Sequence, residues 1–179
     1  ALQTIIAVAT LLHAANTFAH TEEAEDATSY KAEVFGSASS GSTTPFWMVS
    51  NRYGVVPLDA NNGYLNAGVF HQQHFGKGFR WSAGLDIVAV VPRYRNVYIQ
   101  QIYAELGYKS MLLSVGSKEN RHSLWDHSLS SGDMVLSSNA RPIPEIKLSM
   151  PEFTVVPLTK SWMQVKGDFA VGKSFDTKY

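Results

Sequence analysis

Apolar and polar side chains alternate along this chain in long, regular runs. From Phe79 to Val91 the positions Phe79, Trp81, Ala83, Leu85, Ile87, Ala89 and Val91 share one face, with Arg80, Ser82, Gly84 and Asp86 on the other. A period of two is the signature of a half-buried β-strand. At about 3.3 Å per residue this run reaches roughly 40 Å. That crosses the hydrocarbon layer of a bilayer even at a tilt of roughly 45°. A soluble sandwich strand averages only about five or six residues.

The same alternation predicts strands over residues 30–35, 64–74, 97–108, 111–118, 145–150, 153–156 and 162–172. In the run 97–108, Tyr98, Ile102, Ala104, Leu106 and Tyr108 are expected opposite Gln101, Tyr103, Glu105 and Gly107. Residues 36–44, rich in Ser and Gly, read as a flexible loop, and residues 45–54 as an aromatic-rich connection ending in the turn signal 59–63. Tight turns are expected at 76–78 and 109–110. The longest break, 119–142, holds one helical signal, a capping box at Ser123 to Asp126. The expected fold class is all-β, an antiparallel up-and-down transmembrane β-barrel, of which this chain supplies a partial barrel of about seven to eight strands.

Charge separates the candidate architectures further. The polar positions carry both signs: Lys31, Glu33, Arg80, Asp86, Glu105, Lys118, Glu145, Lys147, Lys166 and Asp168. Such a face needs water or mutual pairing, as in a polar lumen. Connections alternate short and long, the habit of bacterial outer-membrane barrels with periplasmic turns and external loops. A soluble antiparallel sandwich explains the alternation equally well. It explains less well the strand length and the aromatic ends Phe79, Trp81, Tyr98 and Tyr108, which suit a membrane-interface girdle.

The N-terminal part points the same way. Residues 1–19 form an apolar run with small residues at its end and resemble a secretory signal peptide lacking its basic start, with cleavage expected after Ala19 or, second, Ala15. Residues 20–28 are strongly acidic, and 29–179 form the expected barrel sector. The chain has 15 basic and 15 acidic residues and no cysteine. Disulfide staples and thiolate metal sites are thereby excluded. No basic stripe indicates nucleic acid, and no metal or other cofactor is expected.

The combination of Pro45 to Gly54, Gly63 to Gly68, Gln101 to Tyr108, Gly116 to Lys118 and Ser130 to Pro142 resembles the Wzi family of capsule assembly proteins, particularly its Bacteroidetes-like branch. The likeness spans residues from about Tyr30 to Tyr179. It implies an outer-membrane β-barrel of a Gram-negative bacterium with many more strands than this chain holds. It also implies a lectin-like, non-enzymatic role in attaching or organising capsular polysaccharide, with outer-membrane lipid around the wall. No binding residue is carried over from the family.

Sugars are held by aromatic faces and planar polar groups. The long loops offer Trp47, Asn51, Arg52 and Tyr53, then Arg121, His122, Trp125, Asp126, His127, Asp133, Asn139 and Arg141. The alternative role for these side chains is structural: aromatics packing a loop over the barrel mouth, with Arg52 and Arg141 paired to lumen acids. No catalytic residue is assigned. Ser123, His122 and Asp126 are close in sequence, whereas a triad is defined by geometry. His71 and His74 sit at the end of a strand, where a metal pair of that spacing would want a helix. Besides capsule assembly, two functions remain open: a general porin or channel, and a secreted β-sandwich binding module or enzyme.

Overall fold

The computed structural model describes residues 6–8, 26–91, 97–119, 138–156 and 158–174. They form a single antiparallel sheet with strands in chain order. Seven strands make up almost all of it: β2 (Ala27–Ala38), β3 (Asn62–Phe75), β4 (Phe79–Val91), β5 (Val97–Tyr108), β6 (Met111–Ser117), β7 (Pro144–Val155) and β8 (Gln164–Gly172). A three-residue strand, β1 (Ile6–Val8), pairs with the far end of β2 and lies inside the segment read as a signal peptide. The described helix is one turn, α1 (Phe46–Val49). The two edges of the sheet do not pair with each other among the described residues, so the sheet is open.

The alternation of the sequence sorts cleanly onto two faces. The apolar one is exposed: Tyr30, Leu65, Val91, Ile102, Leu106, Val115, Ile146, Phe169 and Val171 all keep much of their surface. The other is the packed one, where Asp86 and Val88 have no exposure and Asn66, Gln101, Ser114 and Ser149 are buried. At the short-turn end of the exposed face the rings of Phe75 and Phe79 stack at 5.8 Å, and Phe79 meets Tyr108 at 4.4 Å.

Some boundaries differ from the sequence expectation. Gly36, Ser37 and Ala38, expected in a loop, continue β2, because β3 offers them Gly63 and Asn62 as ladder partners. The separate strands expected at 145–150 and 153–156 are one strand, β7, whose register slips between Met150 and Thr154. Pro151 lies at that slip, where its missing N–H is tolerated. The last strand begins at Gln164, since Thr159 accepts the Trp162 N–H at 3.1 Å and Lys160 and Ser161 take left-handed conformations in a turn. The expected capping box at Ser123 to Asp126 lies outside the described residues.

The main correction concerns Tyr98. Asp86 pairs with Gln101 but Ile87 pairs with Ile99, which leaves Gln100 as an extra residue, a β-bulge. Parity reverses there. Tyr98 therefore faces the packed side opposite Val88, not the exposed side, and Val97 and Ile99 take its expected place. Phe79, Trp81 and Tyr108 retain the exposed-side parity expected of them.

At Gly116 the backbone of β6 packs close against β5. Its φ is +121°, and a Cβ there would collide with the Ile102 carbonyl oxygen and stand 2.8 Å from Tyr103 Cα. Gly116→Ala should therefore destabilise the sheet by about 1–3 kcal/mol from backbone conformation alone, with the clash added. Chemical denaturation of the folded protein should show an earlier midpoint, whereas Gly76→Ala, where a Cβ meets nothing within 4 Å, should shift it less.

Candidate functional site

The packed face has two zones, and each is set by which strands supply the side chains. Toward the short-turn end the inward positions carry paired charges, with the rings of Phe70 and Tyr103 stacked among them. Asp86 is completely buried; Lys31 reaches it from two strands away with Nζ 3.1 Å from Oδ2, and Gln101 Nε2 donates to the same oxygen at 3.3 Å. Lys31 pairs across the sheet with Gly68, and Gly68 with Asp86, so the missing side chain at 68 is what lets the lysine span the gap. A Cβ at Gly68 would lie 3.2 Å from Asp86 Oδ1.

Other inward charges pair in the same manner. Lys118 Nζ and Ser82 Oγ both donate to Glu105 Oε2 at 2.7 Å, and the lysine also stands 4.6 Å from the centre of the Tyr103 ring. Tyr64 donates its hydroxyl to Glu33 Oε1 at 2.6 Å, with Arg52 Nη1 at 3.7 Å from that oxygen. Lys147 and Asp168 approach to 3.2 Å between β7 and β8. Glu145 shares the inward parity of Lys147. Lys166, on the exposed edge strand β8, has its Nζ 5.8 Å from the Phe153 ring centre.

Toward the long-loop end the inward positions turn apolar, with Tyr64, Val88 and Val90 buried. The connection between β2 and β3 folds back over them. Val55 and Val56 complete this cluster, and Phe35, Val49 and Tyr98 flank it. The neck of the connection is closed by Thr44, whose hydroxyl donates to the Asp59 carbonyl at 2.7 Å and accepts from Asn62 Nδ2 at 2.7 Å. The result is a cap on one end of the polar face.

Residues from the second long loop clamp this cap. The Tyr53 N–H donates to the Ser138 carbonyl at 2.6 Å, and the Asn51 N–H to Asn139 Oδ1 at 2.7 Å. Arg141 lies flat on Tyr98, 4.0 Å from ring centre to Cζ, and its Nη2 donates to the Ile99 carbonyl at 3.0 Å. The bulge residue Gln100 joins everything, with Nε2 donating to the Tyr53 carbonyl at 3.0 Å and to Glu119 Oε1 at 3.2 Å. The chain thus brings Arg52, Tyr53, Asn139 and Arg141 together although they lie far apart in sequence. Trp47 stands outward on α1 with 65% of its surface exposed, beside Phe46. Arg121, His122, Trp125, Asp126, His127 and Asp133 lie outside the described residues.

Sequence reasoning missed Gln100, Gly68 and the valine pair Val55 and Val56. Two consecutive glutamines inside an alternating strand are the signal that could have revealed the bulge, because strict parity would expose one of them. Compared with family models, with curated proteins and with solved structures, the chain matches none.

Two substitutions probe this assembly. Asp86→Ala leaves the Lys31 ammonium and the Gln101 amide without their acceptor, and should cost about 1–3 kcal/mol in unfolding measurements, the lysine being partly solvated. Asn139→Ala removes one anchor of the cap, worth about 1 kcal/mol. Trypsin cleavage after Arg52 in the folded protein should then run about five times faster, with global unfolding little changed.

Proposed function

We propose that this chain is a sector of the wall of an outer-membrane β-barrel that takes part in capsule assembly, binding or organising polysaccharide at the cell surface without catalysis. The observation that carries the membrane part is an inversion of ordinary burial. Tyr30, Leu65, Ile102, Val115 and Phe169 are exposed, while Asp86, Asn66 and Gln101 are buried on the opposite face. A water-soluble sandwich places its apolar face against a second sheet. The described strands belong to one sheet, and their apolar side has no cover among the described residues. Hydrocarbon outside and a polar, charge-paired interior satisfy both faces. The stacked Phe75, Phe79 and Tyr108 at the short-turn end suit the headgroup level.

The polysaccharide part rests on the Wzi resemblance and on the form of the cap. Trp47 and the half-exposed Arg52 are turned to the surface, where an indole face can stack on a sugar ring and a guanidinium can bond its hydroxyls. Tyr53, Asn139 and Arg141 hold that surface in place. In this reading the long loops are external and the short turns periplasmic.

The test is fractionation of the full-length protein. It should sediment with outer membranes and migrate on gels in a heat-modifiable way. Ile102→Lys, a charge in mid-strand on the exposed face, should cost about 2–4 kcal/mol if that face meets lipid and should impair membrane assembly. A soluble protein, or unimpaired assembly of Ile102→Lys, would refute the membrane part. Unchanged capsule retention by cells lacking the protein would refute the polysaccharide part.

A further inference from the structure

The inward charges beside Arg80 are matched, but Arg80 itself is not. Asp86 has Lys31, Glu33 has Arg52 and Glu105 has Lys118, whereas Arg80 has neither an ion pair nor a side-chain hydrogen bond among the described residues. Its side chain is held against the sheet by Gly107, its direct partner on β5. A Cβ there would stand 2.6 Å from Arg80 Cγ and 2.7 Å from Nε. The guanidinium borders a cavity of about 180 Å³ lined by Gln72, Arg80, Trp81, Ser82, Glu105 and Leu112. Glu105 bonds Lys118 and Ser82 through Oε2 and makes no ion pair with this arginine. Asp26 is engaged with His74, the β3 partner of Arg80, accepting its backbone N–H. Glu105 is matched by Lys118, which lies outside the lining, so Arg80 is the cation of the cavity left without a counter-charge among the described residues.

We propose that this cavity binds the carboxylate of an acidic sugar residue, of the hexuronate kind. The guanidinium fork matches a planar carboxylate and can bond it through two parallel N–H groups. Leu112 gives an apolar wall for the C–H face of a ring, and the Gln72 amide offers both a donor and an acceptor to hydroxyls. The volume falls below the ~300 Å³ at which sites for drug-sized ligands begin. It suits a single sugar ring, not a long segment of chain. The site deepens the polysaccharide reading by naming an acidic glycan as the substrate class, and it stands on the inner face, apart from the external cap.

The experiment is saturation-transfer NMR on the full-length protein in detergent, with sodium glucuronate and glucose as observed probes and inorganic phosphate as a competitor against glucuronate. Glucuronate should bind, glucose at least about tenfold more weakly, and Arg80→Gln should weaken glucuronate by about tenfold or more. Arg80→Lys keeps the charge and loses the fork, so it should recover only part of that affinity. Heat-modifiable migration of each variant establishes that it is folded. Equal binding of glucose and glucuronate, unchanged binding by folded Arg80→Gln, or phosphate binding more tightly than glucuronate would each overturn the assignment. Glucuronate binding lost with Arg80 in a protein that does not affect capsule retention would uphold the site and remove the capsule role, so the two can fail separately.

Discussion

A carboxylate with no solvent contact can exist only where the protein itself supplies what water would have supplied. Asp86 is in that position, its Oδ2 met by Lys31 and Gln101, and much of the sheet is arranged around it. The lysine that reaches it comes from β2, across a strand whose intervening residue is glycine; the amide that supports it comes from β5, at the residue next to a bulge. Three separate features of the sequence, Lys31, Gly68 and the Gln100 and Gln101 pair, are needed to keep one carboxylate on the inside. Each depends on the register of the strands, and the tight turn at 76–78 fixes that of β3 on β4, which sets Gly68 opposite Asp86.

The bulge links this buried charge to the cap. Because one residue is inserted between the partners of Asp86 and Ile87, Gln100 and Gln101 both reach the packed face, one bonding to Asp86 and the other to the Tyr53 carbonyl. The same reversal brings Tyr98 inward, where it forms the platform for Arg141. A single backbone irregularity therefore converts a uniform strand into one with an electrostatic half and a docking half. Bulges are used in this way at the rims of barrels, where side chains must be re-aimed.

Polar and apolar zones on the packed face also imply a division of labour along the strands. Under the cap, Val55 and Val56 against Val88 and Val90 exclude water, and this end is held by dispersion and by backbone bonds between the two long loops. Toward the turns, paired charges leave room for the Arg80 cavity, which stays polar and open to small solutes. Trp47 is thus exposed on the cap at one end of the strands, while Arg80 lies at the cavity toward the other.

Much of this arrangement was legible in the sequence, since the two-residue period depends only on local geometry. Alternation alone assigned Phe79 to Val91, Tyr64 to His74 and Met111 to Lys118 to strands and sorted their side chains onto the right faces; the alternating signs of Lys31, Asp86, Glu105 and Lys118 identified the polar face before any pairing was known. Tyr98 was misplaced because a bulge is a property of two strands together, visible only when Asp86 and Ile87 are matched to their partners. The joining of Tyr53 to Ser138 and of Asn51 to Asn139 was equally out of reach, for these contacts bridge more than eighty residues and no local preference encodes them. The sequence by itself determined the strands and the chemistry of each face, because both follow from side-chain period and charge. Only the tertiary structure decided which charges meet, which arginine is left over and which loop residues become a scaffold, because those outcomes depend on register, and register is set by pairing between distant segments.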